Sequence, residues 1–420
     1  MANPKTPAPA PATVRVPKRW FLALAALSIL PWVIVAFIYA RENGAASAPA
    51  PSGPAASAAR TGAPGPWGRL IVSPIVVSPP LEYIPADDAP RGPAAWHLPK
   101  TSPQVASSFL AWSGMSAADV SRLMTGARPD GAGGLTLLPD KALIRGLAPD
   151  VRGRLYTQLA KSRMNQAQAE SYRFLGGSAG DWFDGSAISA ETRRLVEPLL
   201  YKDGPFLHFA DLESVREDVA DAGEWRRLRK TLMRTSTLLV RVDIDAADDL
   251  GAVAAYWGAR GRRLDIRPLL ESVSGHGDSS TIDVVHLLPT LARNHLYRYP
   301  KLTAGDFDKP LLANCLWSAL NFFELEPSDR FLDVPTALNT LRNDYYVVED
   351  NFELGDVVAF LDANDTIFHA AVYLADGLAF TKNGTSPMAP WTIMSVDNIR
   401  AFYKTRSEDS RLIYHRRKDL

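Results

Sequence analysis

The sequence predicts an α+β protein in three parts: an N-terminal single transmembrane helix, a mixed, helix-rich central domain, and a C-terminal module in which a cysteine-bearing helix precedes an antiparallel sheet. Three observations predict this. An uncharged apolar run covers residues 20–40. Apolar residues at helical spacing dominate the middle of the chain. Near the C-terminus the pattern changes to a helix at Cys315 followed by short strands separated by turn residues.

The apolar run reads WFLALAALSILPWVIVAFIYA. At about 1.5 Å rise per residue it spans a hydrocarbon core of about 30 Å. Pro31 within it is tolerated in a membrane helix. Lys5, Arg15, Lys18 and Arg19 precede the run without an acidic residue, so the positive-inside rule keeps residues 1–19 in the cytoplasm. The expected location is the cytoplasmic (inner) membrane, with the C-terminal parts periplasmic or extracellular and the lipid bilayer as a partner of residues 20–40. The run is longer than the usual apolar stretch of a signal peptide, about 7–15 residues, which argues for an uncleaved anchor. Residues 41–66 are rich in Ala and Pro and are expected to form a disordered, semi-extended spacer.

A helix-rich central domain of unassigned role is expected over 67–296. Leu70–Val77 reads as an edge strand, because Pro74 cannot donate to a central ladder. Ser116 caps a helix running to Met124. Helices are also expected over Pro149–Gly176, Leu195–Leu200, Trp225–Leu232, Ala246–Trp257 and Ile282–Tyr297, with a strand over Ser236–Ile244. Arg263–Val273 is compatible with strand or helix. Arg226, Arg227, Arg229, Lys230 and Arg234 read as a solvated helix face, with contact to an anionic polymer or headgroups as the alternative. The glycine-rich stretch Gly176–Gly180 reads as a loop. His276, His286 and His295 lack metal-ligand spacing, so neither metal nor cofactor is expected. With 46 basic and 46 acidic residues, the neutral balance argues against nucleic acid as a partner.

The C-terminal module, 297–420, carries the chemistry. Cys315, the chain's one cysteine, opens an apolar helix, where partial positive charge and free amides lower a thiol pKa and receive an oxyanion. A Gly355-Asp356 turn follows, then strands over Val357–Asp362, Ile367–Leu374 and Leu378–Asn383. His369 lies near the start of the second, and period two puts Ala379, Thr381 and Asn383 on one face of the third. The sequons at Asn364 and Asn383 read as turn residues.

This order resembles the NlpC-type branch of the papain-like cysteine peptidases. There a cysteine opens a helix, a Gly-Asp turn precedes a strand, and a histidine opens the next strand, as in His369-Ala370-Ala371-Val372-Tyr373-Leu374. The resemblance covers about 297–405. It implies Cys315 as nucleophile, His369 as general base and Thr381 as the third member, with Asn383 in reserve. It further implies Tyr297 as an oxyanion assistant and a cell-wall (peptidoglycan) peptide as substrate. Asn314 and Trp317 depart from the family's usual Asp-Cys-Ser-Gly, and Trp317 narrows the expected approach to the thiol. The implied function is a membrane-anchored thiol hydrolase cleaving an amide bond. The alternatives are an inactive papain-like binding or scaffolding module and a thioester-forming acyltransferase.

Overall fold

The structure, a computed structural model, describes residues 59–84, 94–244, 249–274, 280–300, 312–403 and 410–419. The expected transmembrane run, most of the spacer and His276 lie outside them. Among the described residues no helix is long and apolar enough to cross a membrane. Among the described residues the fold is mixed α+β, with helices and four antiparallel sheets.

Strand Arg69–Val77 pairs along its whole length with Thr235–Asp243. On its other side the two-residue strand Arg60–Thr61 reaches only Ile71 and Val72. Pro74 therefore faces an open edge, as a residue without an N–H requires. Ser116 accepts from the Asp119 amide and starts the helix Ala117–Thr125. Trp225–Leu232 falls within the helix Ala222–Leu232, and Arg263–Ser274 is helical with Pro268 inside it.

Two helical expectations are corrected. The helix from Pro149 ends at Leu159, and Tyr172–Leu175 is a strand paired with Phe206–Phe209. Two aromatics in four residues favour a sheet once a partner strand exists, and that partner is over thirty positions away. The stretch after Ser280 is a strand, Thr281–Asp283, a single turn, and then a helix, Thr290–His295, that starts only after Pro289. The glycine-rich loop also does more than connect: Ser178 and Asp181 form a capping box for the helix Ala179–Phe183.

The basic stretch is a solvated face only in part. Arg226 donates to the carbonyls of Ile84 and Leu81, Arg234 to those of Trp182 and Asp184, and Arg227 pairs with Glu224. Arg229 is buried. The Arg226 and Arg234 guanidinium groups tie this segment to neighbouring loops, while Arg227 pairs within its own helix and stays partly exposed.

The C-terminal sheet has six strands in the order Tyr345–Val348, Arg411–Arg417, Val357–Leu361, Ile367–Ala375, Leu378–Lys382 and Trp391–Ser395. The three meander strands follow the sequence expectation within a residue or so. Asp376 and Gly377, both at positive φ, make the tight turn between the second and third. Gly355 sits at φ +100, and a Cβ there would lie 2.2 Å from a Phe323 ring carbon. Gly355→Ala is expected to cost about 2–3 kcal/mol from backbone strain and overpacking, read as a lower urea midpoint.

The expected boundary near residue 296 is not a break in packing. One apolar cluster contains Leu70, Val240, Leu291, Leu320 and Ile393. Across it, Thr237 Oγ1 donates to the Ile393 carbonyl and accepts from the Ile393 amide, both at 3.0 Å. Tyr297 N donates to the Trp391 carbonyl at 2.9 Å.

Candidate functional site

Cys315 opens the six-residue helix Cys315–Leu320, as its position in the sequence suggests. Asn314 is the cap: its side-chain oxygen accepts from the Trp317 amide at 2.9 Å. Ser318 Oγ donates to the Asn314 carbonyl at 2.7 Å and accepts from Trp391 Nε1 at 2.8 Å. Cys315 itself is buried. Its side chain belongs to the apolar cluster at the start of the helix.

His369 is fully buried. Its Nε2 lies 2.8 Å from Thr381 Oγ1, so the expected base and third member do meet. The imidazole stacks near Tyr403, centroids 4.4 Å apart, and near Phe360 at 5.4 Å. Asn383, the reserve candidate, instead points its amide at Met394 Sδ, 3.1 Å away.

Strand alternation decides where these groups face. His369 is directly opposite Phe360, Val358 opposite Ala371, and Ala379 opposite Met394. Apart from His369 itself, these residues belong to one apolar layer, closed by Ile399 and Tyr403. The alternate positions Val357, Ala370, Val372, Phe380 and Ile393 belong to the opposite layer. The Cys315 helix packs there, with the Phe322 ring 5.7 Å from Phe380 and Ser318 bonded to Trp391. The six-stranded sheet thus carries His369 and Thr381 on one face and the Cys315 helix on the other. The sequence-predicted trio is brought together in part: His369 with Thr381, but from the face opposite Cys315.

Tyr297 is not poised over the thiol. Its hydroxyl donates to the Leu238 carbonyl at 2.7 Å, and burial pushes its pKa up. Trp317 packs with His295 and Trp391, at centroid distances of 5.9 and 6.5 Å. Burial lowers the His295 pKa, against the pull of the Leu291 carbonyl. Among the described residues no group of three or more His, Cys, Asp or Glu side chains could hold a metal ion.

The His369–Thr381 bond gives a direct test of its structural weight. Thr381→Val keeps the shape but removes the hydroxyl. It is expected to lower stability by about 1–3 kcal/mol, while Thr381→Ser stays close to the parent. Denaturant midpoints of the three proteins check this.

Sequence reasoning missed a groove. A cavity of about 500 Å³ is lined by His97, Asn165, Ser171, Tyr172, Met233 and Met388, among others. A second, of about 190 Å³, shares Tyr172, Met233, Ser386 and Met388 with it. Both flank the loop after Lys382. That lysine is 1 % exposed, and its Nζ donates to the carbonyls of Gly384 at 3.0 Å and Ser386 at 2.8 Å. It holds the loop that forms one groove wall. A buried lysine at a strand end was the available signal, but in sequence it reads as an ordinary exposed position.

No family model matches this chain, and no curated protein or solved structure matches it, so the geometry above is the ground on which its function is argued.

Proposed function

We propose that this protein is a membrane-anchored binding module of the cell envelope, in which the C-terminal papain-like sheet is scaffold and the 500 Å³ groove is the ligand site. The observation that carries this reading is the placement of His369 and the Cys315 helix on opposite faces of one sheet, each within a packed layer. Thiol catalysis needs the base within hydrogen-bond reach of the sulfur. The groove supports the binding half of the reading: its volume suits a short peptide or small molecule, and its methionines adapt to irregular apolar shapes. Cell-wall peptide is the ligand that the resemblance suggests. Residues 20–40 would hold the module at the outer side of the membrane.

The second reading, a thiol hydrolase or a thioester-forming acyltransferase, is favoured by the capped helix start at Cys315 and by the His369–Thr381 bond. One experiment separates the two. The full chain and its Cys315→Ala variant are incubated with muropeptides, and both bound ligand and released fragments are measured. The binding reading expects equal ligand retention, no fragments, and alkylation of Cys315 that is far slower in the folded protein than in denaturant. Fragments or acyl transfer seen with the parent and lost in Cys315→Ala would establish the hydrolase or transferase instead.

A further inference from the structure

The helix Pro103–Trp112 reads PQVASSFLAW and contains no charged residue. It buries Ala106 and Leu110 in the core. On another side it carries Val105 and Trp112, 59 % and 58 % exposed, with Phe109 partly buried between them. The spacing i, i+4, i+7 makes these three one stripe. The Phe109 and Trp112 rings stack at 6.2 Å, so the stripe is a continuous apolar surface. Single exposed apolar residues need no explanation, but a contiguous stripe with a tryptophan on an uncharged helix does.

Two further facts choose its occupant. The first is charge. Residues 94–165 hold nine Lys or Arg against four Asp and no Glu, in a chain whose total charge is balanced. Of the nine, Arg152 is buried in a pair with Asp211. Arg122, Lys141, Arg145 and Arg154 are paired with Asp119, Asp140, Glu217, Asp218 and Asp150. Lys100, Arg128, Lys161 and Arg163 are exposed and, against Asp130, leave this part of the fold a positive balance that complements an anionic surface. The second is chain length. The eighteen residues 41–58 separate the apolar run from the first described residue. At about 3.1 Å per residue in an extended, proline-rich chain they reach on the order of 55 Å, enough to let this side of the fold meet the bilayer.

We propose that the stripe Val105–Phe109–Trp112 docks into the headgroup region of an anionic lipid bilayer, fixing the orientation of the module on the membrane that anchors it. Tryptophan is favoured at that depth, and the uncharged helix loses no ionic hydration on entering. The proposal rests on the reading of residues 20–40 as an anchor.

The single cysteine makes the test simple. In a Cys315→Ala background, Val105→Cys and Trp112→Cys variants are labelled with an environment-sensitive nitrobenzoxadiazole probe. Leu264 and Leu325, 84 % and 80 % exposed, serve as control sites. The full chain is reconstituted in vesicles containing phosphatidylglycerol. Docking gives a blue-shifted emission at 105 and 112 that spin-labelled lipid quenches, and neither effect at the controls. Equal spectra at all four sites overturn it. Hydrogen exchange of the unlabelled native chain is the second measurement, in case the background variant folds poorly. Amides of 103–112 are expected to be protected in anionic vesicles relative to detergent, and unchanged exchange overturns the proposal. Alkaline carbonate extraction tests the anchor separately. If the chain is extracted, the anchor reading fails. Docking then stands only if the probes at 105 and 112 still shift when anionic vesicles are added, and it falls if they do not.

Discussion

Asp356→Ala is expected to destabilise the protein by about 3–5 kcal/mol, because it leaves the Arg416 guanidinium, in a largely buried site, with only the exposed Glu353 as counter-charge. Asp356 is 1 % exposed at its side chain and Arg416 is 14 % exposed. Arg416 Nε and Nη2 each lie 2.8 Å from a different Asp356 oxygen, a two-pronged match of fork to carboxylate. Asp356 Oδ2 also accepts from the Glu353 amide at 2.8 Å, and Arg416 reaches Glu353 and the Asn351 carbonyl. The pair therefore joins the Gly-Asp turn, the first meander strand and the C-terminal strand. Arg416→Ala is expected to cost a similar amount for the mirror reason, a buried carboxylate without its cation. Replacing both, with Asp356→Leu and Arg416→Met, is expected to cost less than either Ala variant alone, since no buried charge is left over. Denaturant midpoints of the parent, Asp356→Ala, Arg416→Ala and the protein carrying both alanines close a double-mutant cycle, with the Leu/Met pair compared beside it. A coupling near zero would show that the surrounding backbone groups, not the pairing, hold this corner.

That corner was legible in the sequence as a Gly-Asp turn, and so were the strands after it. The reason is local: Gly355, Asp365, Asp376 and Gly377 all adopt positive φ, and residues that tolerate it mark turns by their identity. The helix start at Cys315 was legible through the apolar helical spacing that begins there, while its cap, Asn314, is seen only in the structure. The face that each strand turns toward a helix was not. Ile367–Ala375 is apolar on both sides, and all but its first residue is buried. Alternation then says that His369 and Ala370 point opposite ways, but nothing local says which side receives the Cys315 helix. That choice is set by long-range partners such as Phe380 and Trp391. The same limit explains Tyr172–Leu175, whose partner strand is distant, and Arg226 and Arg234, whose acceptors are carbonyls that no sequence pattern marks. Local chemistry identified the candidate residues, while their assembly depends on packing between elements far apart in the chain.

Acidification is expected to stabilise the parent relative to Asp211→Asn by about 2 kcal/mol between pH 7 and pH 4. Asp211 is buried, with Arg152 Nε 3.1 Å from Oδ2 and the Tyr156 hydroxyl donating to Oδ1 at 2.7 Å. Burial pushes its pKa up to about 6, against the opposing pull of Arg152 and Tyr156. An ordinary aspartate in the unfolded chain titrates near about 3.9. Between those values the folded state holds a proton that the unfolded state has released. Stability from this group is then fully present below about pH 4 and is lost as the pH rises through about 6. The asparagine has no such proton, so the parent-minus-variant difference isolates this carboxyl from every other titrating group. Arg152 tolerates the neutral partner because its guanidinium is also held by the Pro198 carbonyl at 2.9 Å. The opposite trend, a parent advantage that shrinks on acidification, would mean that the Arg152 attraction outweighs burial. The choice has a consequence for the groove, because Asp211 lines the 500 Å³ cavity. If burial wins, the Asp211–Arg152 pair at that wall carries a net positive charge in mildly acidic surroundings and none at neutral pH. Ligands carrying an amine would then be repelled less as the carboxyl ionises.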